Sequence, residues 1–167
     1  MNYSIMFTSQ TGNTEILANT VLHSLPLAKC TYFGGFNSEQ AENSDLIFVG
    51  FWNDKGDCPN EVKDFLKGLK NKRIALFGTS GFGESKEYLK GVVEKVKENI
   101  SPENEVVGDF MCKGRINQKV KEEFEKNAKN EKDIELMLKS YDSSFSHPNI
   151  RDLVNIRDFA RDMYYFI

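Results

Sequence analysis

Residues 3–14 read YSIMFTSQTGNT, in which a short apolar strand, Tyr3 to Thr8, runs straight into a polar loop with one glycine. The next segment, Thr14 to Leu25, is predicted to be a helix that ends before Pro26, because its apolar residues recur at helical spacing. Those residues are Leu17, Ala18, Val21, Leu22 and Leu25. The stretch therefore predicts a strand joined to a helix by a loop rich in hydroxyl groups.

The same alternation of strands and helices continues through the middle of the chain. Further strands are predicted at 30–33, 45–52, 73–77 and 106–112. A helix is predicted to begin at Pro59 and another to span 85–100. Strands separated by helices form β–α–β units, and their right-handed crossovers give a parallel sheet with helices on both faces. The sequence therefore predicts a three-layer α/β fold around a five-stranded parallel sheet.

The last third of the chain is more highly charged. A helix is predicted over 117–139, followed by a break over 141–148. The final helix is predicted over 150–167, with Asn149 as its N-cap and Asp152 at the third helical position. With no internal repeat and no linker, residues 1–167 are expected to form a single domain, with residues 113–148 as a helical extension docked on it.

Composition excludes several classes of protein. The chain has 167 residues, 40% of them hydrophobic, and a net charge of −3 without the basic stripe that nucleic-acid binding needs. No apolar run approaches the roughly 18 residues that cross a bilayer, and the first residues have no basic and then apolar pattern, so we expect neither a membrane span nor an export signal. The three cysteines show no C-x-x-C pair, so we expect free thiols in the cytoplasm. The basic residues Lys113, Arg115, Lys119 and Lys121 are interpreted as a solvated helix face.

In an open parallel sheet, ligands bind beyond the carboxyl ends of the strands, which directs attention to the loops. The first loop is Ser9-Gln10-Thr11-Gly12-Asn13-Thr14. Successive backbone N–H groups at a helix start form a concave anion site, which the hydroxyls of Ser9, Thr11 and Thr14 would complete. Because the loop has no lysine or arginine, it favours a phosphomonoester that stays bound. An ordinary capped helix start remains the alternative.

Two later loops offer aromatic side chains at the same edge of the sheet. Trp52 ends the third predicted strand, where it can stack on a flat ring or pack at the edge of the core. Phe82 lies between two glycines after the fourth strand, where backbone amides can approach a ligand closely. Together, the three loops predict a site for a phosphorylated planar heterocycle.

Other phosphate-binding families do not fit these residues. The chain has neither a Walker loop nor a G-x-G-x-x-G motif after the first strand. A response-regulator receiver needs acidic residues after the first strand to hold a divalent cation, but Ser9 and Gln10 stand there.

The chain resembles the flavodoxin family over about its first 112 residues, since the first loop is similar to the family's [ST]-x-T-G-x-T motif. The resemblance implies non-covalently bound flavin mononucleotide (FMN), with the phosphate at residues 9–14 and the ring against Trp52. Asn53, Lys55 and Gly56 would lie along the reactive edge of the ring, with Gly56 beside a peptide that flips on reduction. The pyrimidine side would contact Ser80, Gly81, Phe82 and Gly83.

The segment FSHP at 145–148 and the loop WNDKG at 52–56 resemble a subgroup of small flavodoxin-like proteins of anaerobic bacteria, some associated with haem or bilin reduction. The first functional hypothesis is a redox protein that passes electrons to a partner protein. The alternative is a flavin-dependent enzyme acting on a bound tetrapyrrole such as haem. In that alternative His147 is an axial ligand and Lys113, Arg115 and Lys119 meet the propionates. A third hypothesis is a flavin-free interaction domain. The sequence does not decide whether the chain is an enzyme.

Overall fold

The computed structural model describes residues 1–167. Its sheet has five strands, all parallel, in the order β2-β1-β3-β4-β5. The strands are β1 (Tyr3–Phe7), β2 (Cys30–Gly34), β3 (Leu46–Trp52), β4 (Arg73–Ser80) and β5 (Glu105–Lys113). The predicted five-stranded parallel sheet is confirmed.

Seven α-helices connect and follow the strands. They are α1 (Asn13–Ser24), α2 (Ser38–Ala41), α3 (Asn60–Gly68), α4 (Lys86–Lys97), α5 (Gln118–Asn127), α6 (Glu131–Ser144) and α7 (Ile150–Tyr165). A single turn of 3₁₀ helix, Leu27–Lys29, precedes β2. None of these helices combines the length and the apolar character that crossing a membrane requires.

Each face of the sheet carries its own apolar core. Helices α3 and α4 cover one face, where Val62, Leu66 and Val93 pack against strand residues such as Val49 and Leu76. Helices α1 and α7 cover the other face, packing against a set that includes Tyr3, Phe48 and Phe77. A sheet covered on both faces explains why its central strands are almost continuously apolar.

The strand order fixes where the loops meet. β1 lies between β2 and β3, so the chain leaves β1 to one side and crosses back to the other side for β3. The register pairs Phe7 with Gly50 and Trp52 with Thr79, which brings the carboxyl ends of β1, β3 and β4 together. This is the position at which parallel α/β sheets bind ligands.

The charged segment before the last helix differs from the prediction. One helix was expected over 117–139, but the chain forms α5 and α6 with a break between Asn127 and Glu131. Asn130 caps α6 by accepting a hydrogen bond from the Asp133 amide, because a short polar side chain satisfies a free N–H at a helix start. α6 then continues to Ser144, so the break before the last helix is shorter than expected.

Two other boundaries differ by a few residues. β4 extends to Ser80, which makes three residues assigned to the following loop part of the strand. The last helix ends at Tyr165 rather than at the chain end, while Asn149 and Asp152 form the predicted cap at its start, as a capping box.

The extension is attached to the sheet by buried polar contacts. The fully buried hydroxyl of Ser144 accepts from the Ile116 amide at 3.0 Å and donates to the Tyr141 carbonyl. These contacts support a single domain over residues 1–167, which stays a prediction.

Gly50 is the most closely packed of the strand glycines. A Cβ added there would overlap the Phe77 ring and lie 2.7 Å from Cβ of Phe7. We expect Gly50→Ala to lower the free energy of unfolding in urea by about 1–3 kcal/mol, as overpacking of a core does. Gly91→Ala is the matched control, since nothing lies within 4 Å of its added Cβ on α4, and it should raise stability by about 0.5–1 kcal/mol. Equal effects of the two substitutions would contradict this packing.

Candidate functional site

A cavity of about 380 Å³ opens at the carboxyl edge of the sheet, among the loops that follow β1, β3, β4 and β5. The first three loops contribute Ser9, Gln10, Thr11, Asn13, Thr14, Trp52, Asn53, Asp54, Lys55, Thr79, Gly81 and Phe82. The segment after β5 contributes Arg115, Ile116, Asn117, Val120 and Glu123. Four of the residues that the sequence places at FMN do not line this cavity: Gly12, Gly56, Ser80 and Gly83.

The first loop presents free backbone donors. Gly12 takes a left-handed conformation with φ of 91°, and the Ser9 hydroxyl accepts the amides of Gly12 at 3.1 Å and Glu15 at 3.3 Å. The remaining amides of the turn donate to no acceptor in the protein; they belong to Gln10, Thr11, Asn13 and Thr14. Unpaired N–H groups at a helix start bind an anion, and the helix dipole favours the negative charge.

The three hydroxyls of this loop are not equivalent. Thr14 is buried, and its hydroxyl donates to the Phe51 carbonyl at 3.3 Å and is hydrogen-bonded to the Thr79 hydroxyl at 3.0 Å. A threonine hydroxyl has one hydrogen to donate, so Thr14 joins the start of α1 to β3 and β4 instead of offering that hydrogen to an anion. The hydroxyls of Ser9 and Thr11 accept internal hydrogen bonds but keep their own hydrogens free.

The second loop contains a tight two-residue turn. The amide of Asp54 donates to the Asp57 carbonyl at 2.8 Å and the reverse bond is 3.2 Å, while φ is 54° at Lys55 and 91° at Gly56. Positive φ at both central residues is the signature of a type I′ turn. The Gly56 amide donates to Oδ1 of Asn53 at 2.8 Å, so this turn is held from inside the loop.

Asn53 also joins the second loop to the third. Its side-chain Nδ2 donates to the Ser80 hydroxyl at 2.9 Å and to the Tyr88 hydroxyl at 3.0 Å. Its backbone N–H donates to the Thr79 carbonyl at 2.8 Å. Ser80 is fully buried at the end of β4. Its hydroxyl therefore holds Asn53 in the wall of the cavity without lining the cavity itself.

The third loop packs against the extension. The ring of Phe82 stacks on Phe124 of α5, with centroids 5.6 Å apart and an interplanar angle of 27°. One face of Phe82 is thus covered by protein and cannot meet a ligand. Gly83 lies under the Tyr88 ring, where a Cβ would come 3.0 Å from Cζ.

The segment from Arg115 to Glu123 forms a fourth wall of the cavity, of which the sequence predicted only Arg115, and only for the tetrapyrrole alternative. Nδ2 of Asn13 donates to the Arg115 carbonyl at 2.9 Å, which ties this segment to the first loop. A usable signal was present in Asn117, whose side chain accepts from the Val120 amide as an N-cap. A helix that starts so soon after β5 has to begin at the carboxyl edge of the sheet.

The basic residues after β5 do not form one solvated face, so that interpretation is wrong for Lys113. Lys113 is 5% exposed, and its Nζ lies 2.7 Å from Oε2 of Glu84 and 2.7 Å from the Ser143 hydroxyl. The hydrogen bond from Lys113 lowers the pKa of Glu84. Arg115 and Lys119 are exposed.

His147 lies in a different cavity, of about 310 Å³, together with Glu84, Lys113 and Asp152. Its Nδ1 is hydrogen-bonded to Oδ2 of Asp152 at 2.7 Å, and the same oxygen accepts the Asn149 amide at 2.8 Å. This is the position of a residue that supports the start of α7. No group of three or more His, Cys, Asp or Glu side chains is arranged to hold a metal ion.

Cys58 lies near the second loop but is unsuited to thiolate chemistry. Burial, followed by the negative charge of Asp57, raises its pKa to about 12. A thiol with so high a pKa stays protonated at neutral pH.

The Lys113–Glu84 pair gives a pH-dependent prediction. Glu84→Gln should lower the free energy of unfolding at neutral pH by on the order of 1 kcal/mol, less than a fully buried pair because the Glu84 side chain is 61% exposed. Since the folded-state pKa of Glu84 lies below its ordinary value of 4.5, this stabilisation is present above that pH and is lost as the pH falls through the folded-state pKa. Urea unfolding at neutral and acid pH should show the difference between the two proteins shrinking.

Glu103→Gln is the control, because it removes the same charge from an exposed carboxylate without an ion pair. A loss that persists in acid, or one that Glu103→Gln reproduces, would contradict the assignment.

Comparison with known proteins gives the family. The flavodoxin domain matches residues 4–161 of the chain. The flavodoxin-like domain-containing protein BilS of Clostridioides difficile (strain CD3) is 32% identical over 170 residues, covering 98% of this chain and 96% of BilS.

Solved structures share the fold. Oxidised flavodoxin 1 from Bacillus cereus is 17% identical with a TM-score of 0.60, over 100% of this chain and 99% of its own. A flavoprotein from Lactobacillus acidophilus NCFM, solved in complex with FMN, is 16% identical with a TM-score of 0.50, over 66% of this chain and 93% of its own. The chain therefore belongs to the flavodoxin family and is an FMN-binding redox protein.

Proposed function

We propose that this chain is an electron carrier, which takes up electrons on FMN and delivers them to a partner protein. The observation that carries the proposal is the character of the cavity. It combines free backbone donors with a tryptophan, and neither histidine nor cysteine lines it. Such a site binds and orients a cofactor and contributes neither a thiol nor an imidazole.

The first loop would hold the phosphate of FMN. The free amides of Gln10, Thr11, Asn13 and Thr14 would donate to its oxygens, joined by the hydroxyls of Ser9 and Thr11. Gly12 provides the left-handed turn that exposes these amides. All of these donors are neutral, which suits a phosphate that stays in place.

The ring would lie between the later loops. Trp52 would stack on it, with Asn53 and Lys55 along one edge and Gly81 and Phe82 on another side. FMN, when bound, supplies the transfer of one or two electrons. Gly56 remains a proposed neighbour of the ring, although its N–H is held by Asn53 in this structure.

The second candidate is an enzyme that acts on a bound tetrapyrrole. It is favoured by the exposed Arg115 at the cavity, which is placed to meet a carboxylate. It receives less support from His147, which faces Asp152 in a separate cavity, and from Lys113, which is occupied by Glu84. The carrier is therefore the function that the geometry supports best.

FMN should bind far more tightly than riboflavin, because only FMN fills the free amides of the first loop. We expect a ratio of dissociation constants of about 100 or more, measured by quenching of flavin fluorescence. Gly12→Ala strains a left-handed position by about 1–2 kcal/mol and should weaken FMN about tenfold while leaving riboflavin unchanged. Gly91→Ala on α4 is the control. Equal affinities for the two flavins would rule out the phosphate site.

Electron delivery can be followed with a protein acceptor. The FMN-loaded chain, reduced photochemically, should reduce cytochrome c in a stopped-flow spectrometer while its flavin stays bound, because bound FMN supplies electrons that pass to a protein acceptor. The chain without FMN is the blank. No reduction above this blank would contradict the carrier.

Haem distinguishes the second candidate. Under the carrier proposal, the haem spectrum does not depend on His147, so haem added to the wild type and to His147→Ala should give the same Soret band. A shift that depends on His147, together with loss of the haem spectrum on reduction, would support the enzyme instead.

A further inference from the structure

The surface of the extension carries two neighbouring aromatic rings with a cation over each. The guanidinium of Arg115 lies 4.9 Å from the centre of the Phe145 ring. Phe145 meets Tyr141 edge to face at 4.9 Å, and Nζ of Lys121 lies 4.9 Å from the centre of the Tyr141 ring. These four side chains, from the loop after β5, α5, α6 and the residue after α6, form what we name the cation–aromatic surface.

This surface is continuous with the cofactor cavity. Arg115 belongs to both, since it also lines the cavity beside Asn117. The loop that carries Arg115 is fixed in place by two bonds, from Asn13 to the Arg115 carbonyl and from the Ile116 amide to Ser144. A molecule bound to the surface would thus lie next to the opening of the cavity.

The cations of the surface form few ion pairs. Arg115 forms no ion pair, and Lys121 has only Glu125, at 3.8 Å. Lys113, by contrast, is paired with Glu84 at 2.7 Å. The segment from Lys113 to Lys121 contains four basic residues and no acidic one.

The aromatic rings hold the cations without consuming their hydrogen-bonding capacity. A guanidinium over a ring face keeps its in-plane N–H donors available for a carboxylate. Phe145 is 48% exposed, so part of its ring remains open to solvent beside Arg115. Exposed aromatic residues together with arginine are typical of the centres of protein–protein interfaces.

We infer that the cation–aromatic surface is the docking site for an acidic patch on the protein that exchanges electrons with FMN. The inference rests on the proposed carrier function and adds the charge and the position of the partner. Carboxylates of the partner would pair with Arg115 and Lys121, while its apolar side chains would cover Phe145. Docking there would place the partner beside the cavity opening.

The experiment uses one acceptor with two surface charges. Native cytochrome c is basic, and succinylation of its lysines makes it acidic while the same haem remains. The FMN-loaded, photoreduced chain is mixed with each form by stopped flow at low ionic strength. The test variant is Arg115→Gln with Lys121→Gln. The matched control is Lys29→Gln with Lys70→Gln, which removes the same charge at the amino edge of the sheet, where both lysines are exposed.

We expect the ratio of the rate for the succinylated form to the rate for the native form to be about fivefold lower in the test variant than in the wild type, because any effect on the flavin itself is common to both forms. The control variant should change either rate by less than about twofold, and the effect of the test variant should disappear near 1 M salt, where charges are screened within about 3 Å. Because Arg115 lines the cavity, FMN affinity is measured for every variant and all rates are compared at full FMN occupancy.

A second variant separates docking from long-range charge. Phe145→Leu keeps an apolar side chain and every charge but removes the ring under Arg115. It should raise the dissociation constant for the succinylated cytochrome, obtained from the saturation of the rate with cytochrome concentration, about threefold or more, as loss of an interface aromatic does.

Equal losses in the test and control variants, or rates for the succinylated form that neither variant changes, would overturn the docking inference and leave the carrier function intact. A wild type that fails to reduce both cytochromes overturns the carrier function itself.

Discussion

The parallel pairing of β1 with both β2 and β3 is the constraint on which the site depends. The chain leaves β1 toward one side of the sheet and returns to the other side for β3. The connections after these two strands therefore lie on opposite faces and leave a crevice beyond the carboxyl ends of the strands. The buried Thr14 hydroxyl then secures the edge, since it joins the start of α1 to the Phe51 carbonyl of β3 and to Thr79 of β4. The free amides of the first loop owe their arrangement to this anchor.

Most of the fold follows from local patterns. The continuous apolar runs of β3 and β4 indicate strands buried on both faces, and the Asn149 cap fixes the start of α7. The division of the charged segment into α5 and α6 is less visible, because its charged side chains suit a helix throughout. Only Asn130, a short polar residue before an acidic first turn, signals the second start.

The sequence also predicts part of the site, namely the loops that contact a ligand. A loop that touches a ligand through its backbone can be recognised by glycine and hydroxyl residues, as in the first loop. The contacts that hold the lining residues in place join residues that are far apart in the sequence. The stacking of Phe82 on Phe124 and the burial of Ser80 beneath Asn53 join residues far apart in the chain, so no local pattern reveals them.

The attachment of α5 and α6 has a further consequence for motion. No residue of α5 is buried, and α6 buries only Met137 and Ser144, so this helix pair rests on the sheet through a few contacts around the cavity. Segments with so little buried surface open at a small fraction of the free energy of global unfolding. Amide hydrogens of this pair should exchange with deuterium much sooner than those of the central strands, and a cofactor held against its inner wall would slow that exchange.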